Sequence, residues 1–449
     1  MKSIARTTPT VSMVPRSTAP DASVGGFRQL HRPEARTGLL LVALPLLLFT
    51  FMPRPPIPAA HLLVYPSATL ILSVFVVLLL RGDQTLDRRV GLVLFLLLLV
   101  NAVAAVSFSL NALAIRSTAL LELLRPVVFA VFLVYAYLVA RTYDGGSLRR
   151  GLLFAAIVIL LGQTVIVATQ LLGLGIFDSL YSAEKTRPFG SLVRATGSMA
   201  NPNVFGWVVA QASVIAFLCA SRSRWLWLGL GALLILLSGS RTLLLLFPFM
   251  VALTLVWRDE TAGWTRLAVG ATLAALAMVL TVWFVLRASA YLPYLGQLRE
   301  LLVVGSLESV PSIAKRLEHW QTTFGEFSRG GWQAMLFGLG SRQSLRVLDN
   351  DYLYVLFRLG TLGLLLHLAL IVYLARLFRS APRDPATVVG RQYLVSSLVL
   401  GFVFETLGGW FFPLLLYFFL GLSMGSGRRV RFVNSRVDAG TAPPVLASV

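Results

Sequence analysis

The stretch from Val90 to Leu110 reads Val-Gly-Leu-Val-Leu-Phe-Leu-Leu-Leu-Leu-Val-Asn-Ala-Val-Ala-Ala-Val-Ser-Phe-Ser-Leu, without one ionisable side chain. At about 1.5 Å of rise per residue, a helix of this length crosses the roughly 30 Å hydrocarbon core of a bilayer. Runs of the same character recur outward from it, near 38–52, 62–80, 119–140, 151–173, 204–220, 225–238, 242–257, 267–286, 352–374, 392–408 and 409–425. The chain therefore reads as an all-α polytopic membrane protein with about twelve transmembrane helices. Composition agrees, with 57% hydrophobic and only 13% charged residues among 449. A soluble domain carries nearly twice that charge, so lipid must cover much of this surface.

The net charge of +20 would suggest nucleic acid in a soluble protein. Here the basic residues punctuate apolar runs instead of forming stripes, which excludes that partner and marks topology-setting charge. With a cytoplasmic N-terminus, about twenty-four Lys and Arg fall on the inner side and about thirteen on the outer. Both termini are then expected inside. Residues 1–37, rich in Ser, Thr, Pro and Arg, read as a disordered basic cytoplasmic tail, and 426–449 as a second tail. Two outer segments are long, near 174–203 and 287–351, and within the second Ser312 to Phe327 has the spacing of an amphipathic surface helix. The single cysteine, Cys219, lies in an apolar run and is expected to be packed and inert.

Four outer features carry polar groups that the fold alone does not require. Arg187-Pro-Phe-Gly leads to Arg194-Ala-Thr-Gly-Ser-Met-Ala-Asn201-Pro-Asn203. Asn-Pro starts a turn and Asn203 can cap the following helix, but that leaves the two arginines unexplained. Ser238-Gly-Ser-Arg241 is a tight hairpin between short spans, where an arginine is either a snorkelling helix end or a ligand. On the loop helix, Arg316 and Trp320 share one side four residues apart, an arrangement that suits a sugar or phosphate. Last, Asp349-Asn-Asp351-Tyr352 precedes a span that contains Arg358 two turns further in. Its carboxylates can cap the helix, while an intramembrane arginine is by default a functional candidate. Arginines bind phosphates bidentately and stabilise a departing diphosphate, and a nearby carboxylate can take a hydroxyl proton. No glycine-rich nucleotide loop is present, so an activated substrate would arrive attached to lipid.

In this order the four features resemble the O-antigen ligase and Wzy-type polymerase family, over residues 150 to 425. The resemblance implies a GT-C-like membrane glycosyltransferase with one long periplasmic loop in the bacterial inner membrane. It implies transfer of a glycan from undecaprenyl diphosphate with inversion, without metal or cofactor, for O-antigen or exopolysaccharide synthesis. A chain-length regulator is the candidate protein partner, and membrane lipid the surroundings. The family's functional arginines map to Arg241 and Arg316, and its His-Asn pair falls on Asp349-Asn350, so the histidine is replaced by aspartate. That replacement favours a polymerase over a ligase. The residue set expected to do the chemistry is Asp349, Arg316 and Arg241. Arg187, Arg194, Asn201, Asn203, Trp320, Asp351, Tyr352 and Arg358 are expected to hold substrate. Three other readings stay open: a ligase, a polysaccharide transporter or flippase, and a metal held by the Asp-x-Asp triplet 349–351. Among the spans, Glu122, Arg125 and Glu405 are the ionisable exceptions, the first two spaced for a local pair.

Overall fold

The computed structural model describes residues 33–53, 69–77, 80, 86–111, 122–181, 188–189, 192–199, 201–258, 311–340, 348–402 and 411–440, with isolated positions between 268 and 303. Twelve helices are followed below: α1 Pro33–Phe51, α2 Arg88–Leu110, α3 Arg125–Thr142, α4 Gly145–Leu171, α5 Pro202–Cys219, α6 Arg224–Ser238, α7 Arg241–Arg258, α8 Pro311–Arg329, α9 Gly331–Phe337, α10 Asp351–Ser380, α11 Pro385–Leu400 and α12 Phe411–Gly440. One two-residue antiparallel pair, β1 Pro188–Phe189 with β2 Leu192–Val193, precedes α5.

Among the described residues, six helices are long and apolar enough to cross a membrane, namely α2, α3 with the turn from Glu122, α4, α5, α7 and α10. The protein is thus an all-α polytopic membrane protein. Of the other predicted spans, 38–52, 225–238 and 409–425 coincide with shorter apolar helices. The span 392–408 is described to Phe402, while 62–80 and 267–286 lie largely outside the described residues.

Polar caps start the helices where the chain turns. Asp87, Asp144, Asn201, Asn350 and Asp384 each accept a hydrogen bond from a backbone N–H in the first turn of α2, α4, α5, α10 and α11. Proline follows directly in Asn201-Pro202 and Asp384-Pro385, where its missing N–H costs nothing. At the other end of α5, Arg149 donates two hydrogen bonds to the carbonyl of Cys219, a cation on a helix C-terminus. Cys219 itself is buried and unbridged.

Helix pairs approach closely where small residues meet. A Cβ added to Gly421 of α12 would lie 2.4 Å from the Leu133 carbonyl, and one on Gly425 would lie 2.5 Å from that of Tyr137. The facing residues on α3 are Ala136 and Ala140. This Gly-x-x-x-Gly against Ala-x-x-x-Ala seam lets two backbones touch, which is how helices gain dispersion energy where lipid removes the hydrophobic drive. Gly421→Leu is expected to cost about 1–3 kcal/mol or more, because a backbone carbonyl cannot rotate away. A melting scan in detergent should show the drop, and Leu365→Ala, on a lipid-facing position, should melt as the parent does.

One helix is broken. In α10, Gly360 has φ 70° and ψ −172°, outside any helix. The carbonyls freed there are claimed by the segment after α9. Leu339 N donates to Phe357 O at 2.7 Å and Gly340 N to Arg358 O at 3.2 Å, with Ser107 Oγ of α2 also donating to Arg358 O. Asn111 Nδ2 donates to the Gly338 carbonyl and Thr361 Oγ1 to that of Met335. Irregular backbone inside a bilayer is tolerated only when it is satisfied by protein in this way.

Candidate functional site

Three pieces meet at the end of the bundle where α5, α7 and α10 begin. Beneath the first piece, Gln163 and Gln170 of α4 grip the turn after β2. Gln170 Oε1 accepts from the backbone N–H of Thr196 and Gly197, and Gln163 Oε1 from that of Ser198. Ser198 Oγ passes the chain on to the Thr50 carbonyl of α1. Only glycine fits at 197, since its φ is +56° and a Cβ would stand 2.2 Å from Gln163 Oε1.

This clamp aims Arg194 at the α6–α7 hairpin. Ala195 N donates to Leu237 O, Arg194 Nε donates to Ser238 O at 3.2 Å, and the arginine side chain lies across Gly239. Ser240 Oγ then donates to Asn203 Oδ1 at 2.8 Å, tying the hairpin to the first turn of α5. Arg241 opens α7 directly after this knot.

The third piece comes from α8 and the start of α10. Arg316 Nε donates to Asp349 Oδ2 at 2.9 Å, with both side chains a little over one quarter exposed. One turn on, the indole of Trp320 donates to the Leu348 carbonyl. Asp349 has φ 46°, the one non-glycine residue with positive φ among the described residues. Aspartate tolerates that left-handed conformation better than most residues but still pays for it, and such strain gathers at working sites. The Arg316 guanidinium is close enough to Arg241 for the two charges to repel. Arg241, Arg316 and Asp349 therefore form one cluster, flanked by Arg194 and Asn203.

The remaining candidates take other places. Asn201 caps α5. Asn350 caps α10 and donates to Phe402 O, and Asp351 is buried with its backbone N–H on Gly401 O at 2.7 Å. Tyr352 donates its hydroxyl to Leu398 O and lays its ring against Phe402, 4.8 Å between centroids. These three fasten α10 to the end of α11, and Trp320 fastens the strained Asp349 segment to α8. Arg358 lies away from the cluster, buried between Glu122, the Tyr354 hydroxyl and the face of Phe108. Arg187 and Glu405 fall outside the described residues. Asp349 thus faces Arg316 while Asp351 packs under Gly401, and among the described residues no three His, Cys, Asp or Glu converge as metal ligands.

The glutamines were absent from the sequence expectations. Their signal was available, because two amides seven residues apart in an apolar helix stand on one face, two turns apart. No family model matches the chain, and no curated protein matches it by sequence.

Proposed function

We propose that this chain is a membrane glycosyltransferase, a polymerase of lipid-linked oligosaccharide repeat units working at the periplasmic face of the bacterial inner membrane. Both termini are cytoplasmic in this reading, and the fold is GT-C-like. The observation that carries it is the Arg241–Arg316–Asp349 cluster at one end of an apolar bundle. Two guanidiniums near enough to feel each other's charge are stabilised by an anion placed between them, and a diphosphate is such an anion. It would arrive on a polyprenyl tail lying in the bilayer.

The reaction is a displacement at the sugar's anomeric carbon. The acceptor hydroxyl oxygen forms the new bond while the bond to the diphosphate oxygen breaks, inverting the centre. Asp349 takes the hydroxyl proton, and Arg241 and Arg316 hold the charge that develops on the leaving diphosphate. Arg194, at the hairpin's flank, extends the cationic rim.

The test is reconstitution in lipid discs with an undecaprenyl-diphosphate-linked repeat unit and separation of products on a gel. A ladder of lengths is the expected result. Transfer that appears only when a second lipid acceptor is supplied would mean ligation. Absence of both products with several repeat units would overturn glycan transfer and make flipping in sealed vesicles the next assay. A chain-length regulator, added to the discs, is expected to narrow the ladder.

A further inference from the structure

A second polar centre lies inside the bilayer, separate from the arginine cluster. It is a cavity of about 90 Å³ between α2, α3 and α10, lined by Asn101, Glu122, Arg125, Arg358 and His367 among apolar side chains. Glu122 pairs with both arginines, at 3.2 Å from Arg125 and more closely with Arg358. Two further polar atoms from facing helices reach the cavity. Asn101 Oδ1 and His367 Nε2 are buried and have no hydrogen-bond partner among the described residues. Buried polar atoms left so are rare and expensive, and a water or ion that belongs there is one way they are satisfied.

The amide can turn either its oxygen or its N–H₂ inward, and an imidazole Nε2 can carry a proton. With two arginines they compose a donor set from four residues. The volume takes about three waters or one tetrahedral oxyanion of similar size. Glu122 offsets one of the two guanidiniums, and the single net positive charge left in a low-dielectric wall attracts an anion more strongly than it would at a surface. Val100, Phe129 and Leu370 make much of the remaining lining apolar, and Tyr354 and Tyr417 add two phenol rings. The same helices turn Leu98 and Leu365 outward, each more than 60% exposed, so lipid lies alongside. A ligand polar at one end and apolar at the other fits this lining.

We propose that the cavity between α2, α3 and α10 binds the phosphate group of a membrane phospholipid, held by Arg125, Arg358, Asn101 and His367. This site is independent of glycan transfer. Basic pockets between transmembrane helices are a recurring way to hold lipid headgroups. Glu122 sets the two guanidiniums and leaves the donors of Asn101 and His367 to complete the shell.

The test uses the purified full chain in lipid discs and native mass spectrometry. Retention of phosphatidylglycerol is compared with retention of a diacylglycerol of the same acyl chains. The wild type should retain the phospholipid about tenfold better or more, and Asn101→Leu with His367→Leu should remove that preference. Equal retention of the two lipids by the wild type would overturn the proposal without needing any variant. So would an unchanged preference in a double variant that melts like the parent. Binding of inorganic phosphate alone, with no preference between the lipids, would also overturn it.

Discussion

Arg316→Ala is expected to abolish the product ladder while leaving protein level and melting temperature almost unchanged, and Arg241→Ala to do the same. The two halves of that expectation rest on different magnitudes. The Arg316–Asp349 pair is more than one quarter exposed on both sides, and pairs of that kind stabilise a fold by about 1 kcal/mol or less. Removing a donor aimed at charge that develops in a transition state costs about 10²–10³ in rate. Chemistry should therefore fail where stability does not. Asp349 sharpens the test. Asp349→Gly removes the carboxylate and also relieves a left-handed backbone worth about 1–2 kcal/mol to a residue with a side chain. Its melting temperature should equal or exceed that of the parent, with the ladder gone. Asp349→Asn keeps the side chain's tolerance of that conformation and loses only the charge. Ladders of normal length from Asp349→Gly would remove the base from the mechanism, and normal ladders from both arginine variants would remove the assignment.

The largest structural effect is expected at Gly360 and Gly338. Both have φ near +70 to +80° and ψ within about ten degrees of 180°, a region that is essentially glycine's alone. Each also stands against the backbone of the residues just before the other. A Cβ at 360 would lie 2.2 Å from the Leu336 carbonyl oxygen, and one at 338 would lie 2.3 Å from the carbonyl of Arg358. Conformational strain and overlap with backbone together cost roughly 3–6 kcal/mol, against a total stability of about 5–15. Gly360→Ala and Gly338→Ala should each leave little protein in the membrane and no sharp melting transition in detergent. Gly325, where an added Cβ meets nothing within 4 Å, gives the contrast, and Gly325→Ala should behave as the parent does. A normal yield and melt from Gly360→Ala would mean that the break in α10 is not held as described.

Much of this architecture was legible because transmembrane helices announce themselves locally. An apolar run of spanning length and a charged stop at each end decide the matter within about twenty residues. The loop helix around Arg316 and Trp320 is local in the same sense. What sequence does not display is pairing across distance. Glu122 was spaced for Arg125, and that pair is present, yet Glu122 is shared with Arg358 from another helix. Arg358 read as a ligand of the cluster at the head of α10. Its position two turns down, under a broken helix, gives it to the neighbouring cavity instead. Trp320 and Tyr352 read as surfaces for sugar, and what the sequence did not display is that the Leu348 and Leu398 carbonyls anchor their polar atoms. The Gly-x-x-x-Gly of α12 was visible in the chain, but only the structure says which helix it faces.

That seam also bears on how the molecule is made. A ribosome delivers α3 early and α12 last, and Gly421 follows Ala136 by roughly 285 residues. At about 5–20 residues per second, Ala136 and Ala140 wait on the order of 15–60 s for the glycines that fit them. The head of α10 waits as well, because Gly401 and Phe402, which fasten Asn350 and Asp351, also emerge late. A nascent chain can thus insert helix by helix while the head of α10 stays unfastened until the residues after α11 have followed it.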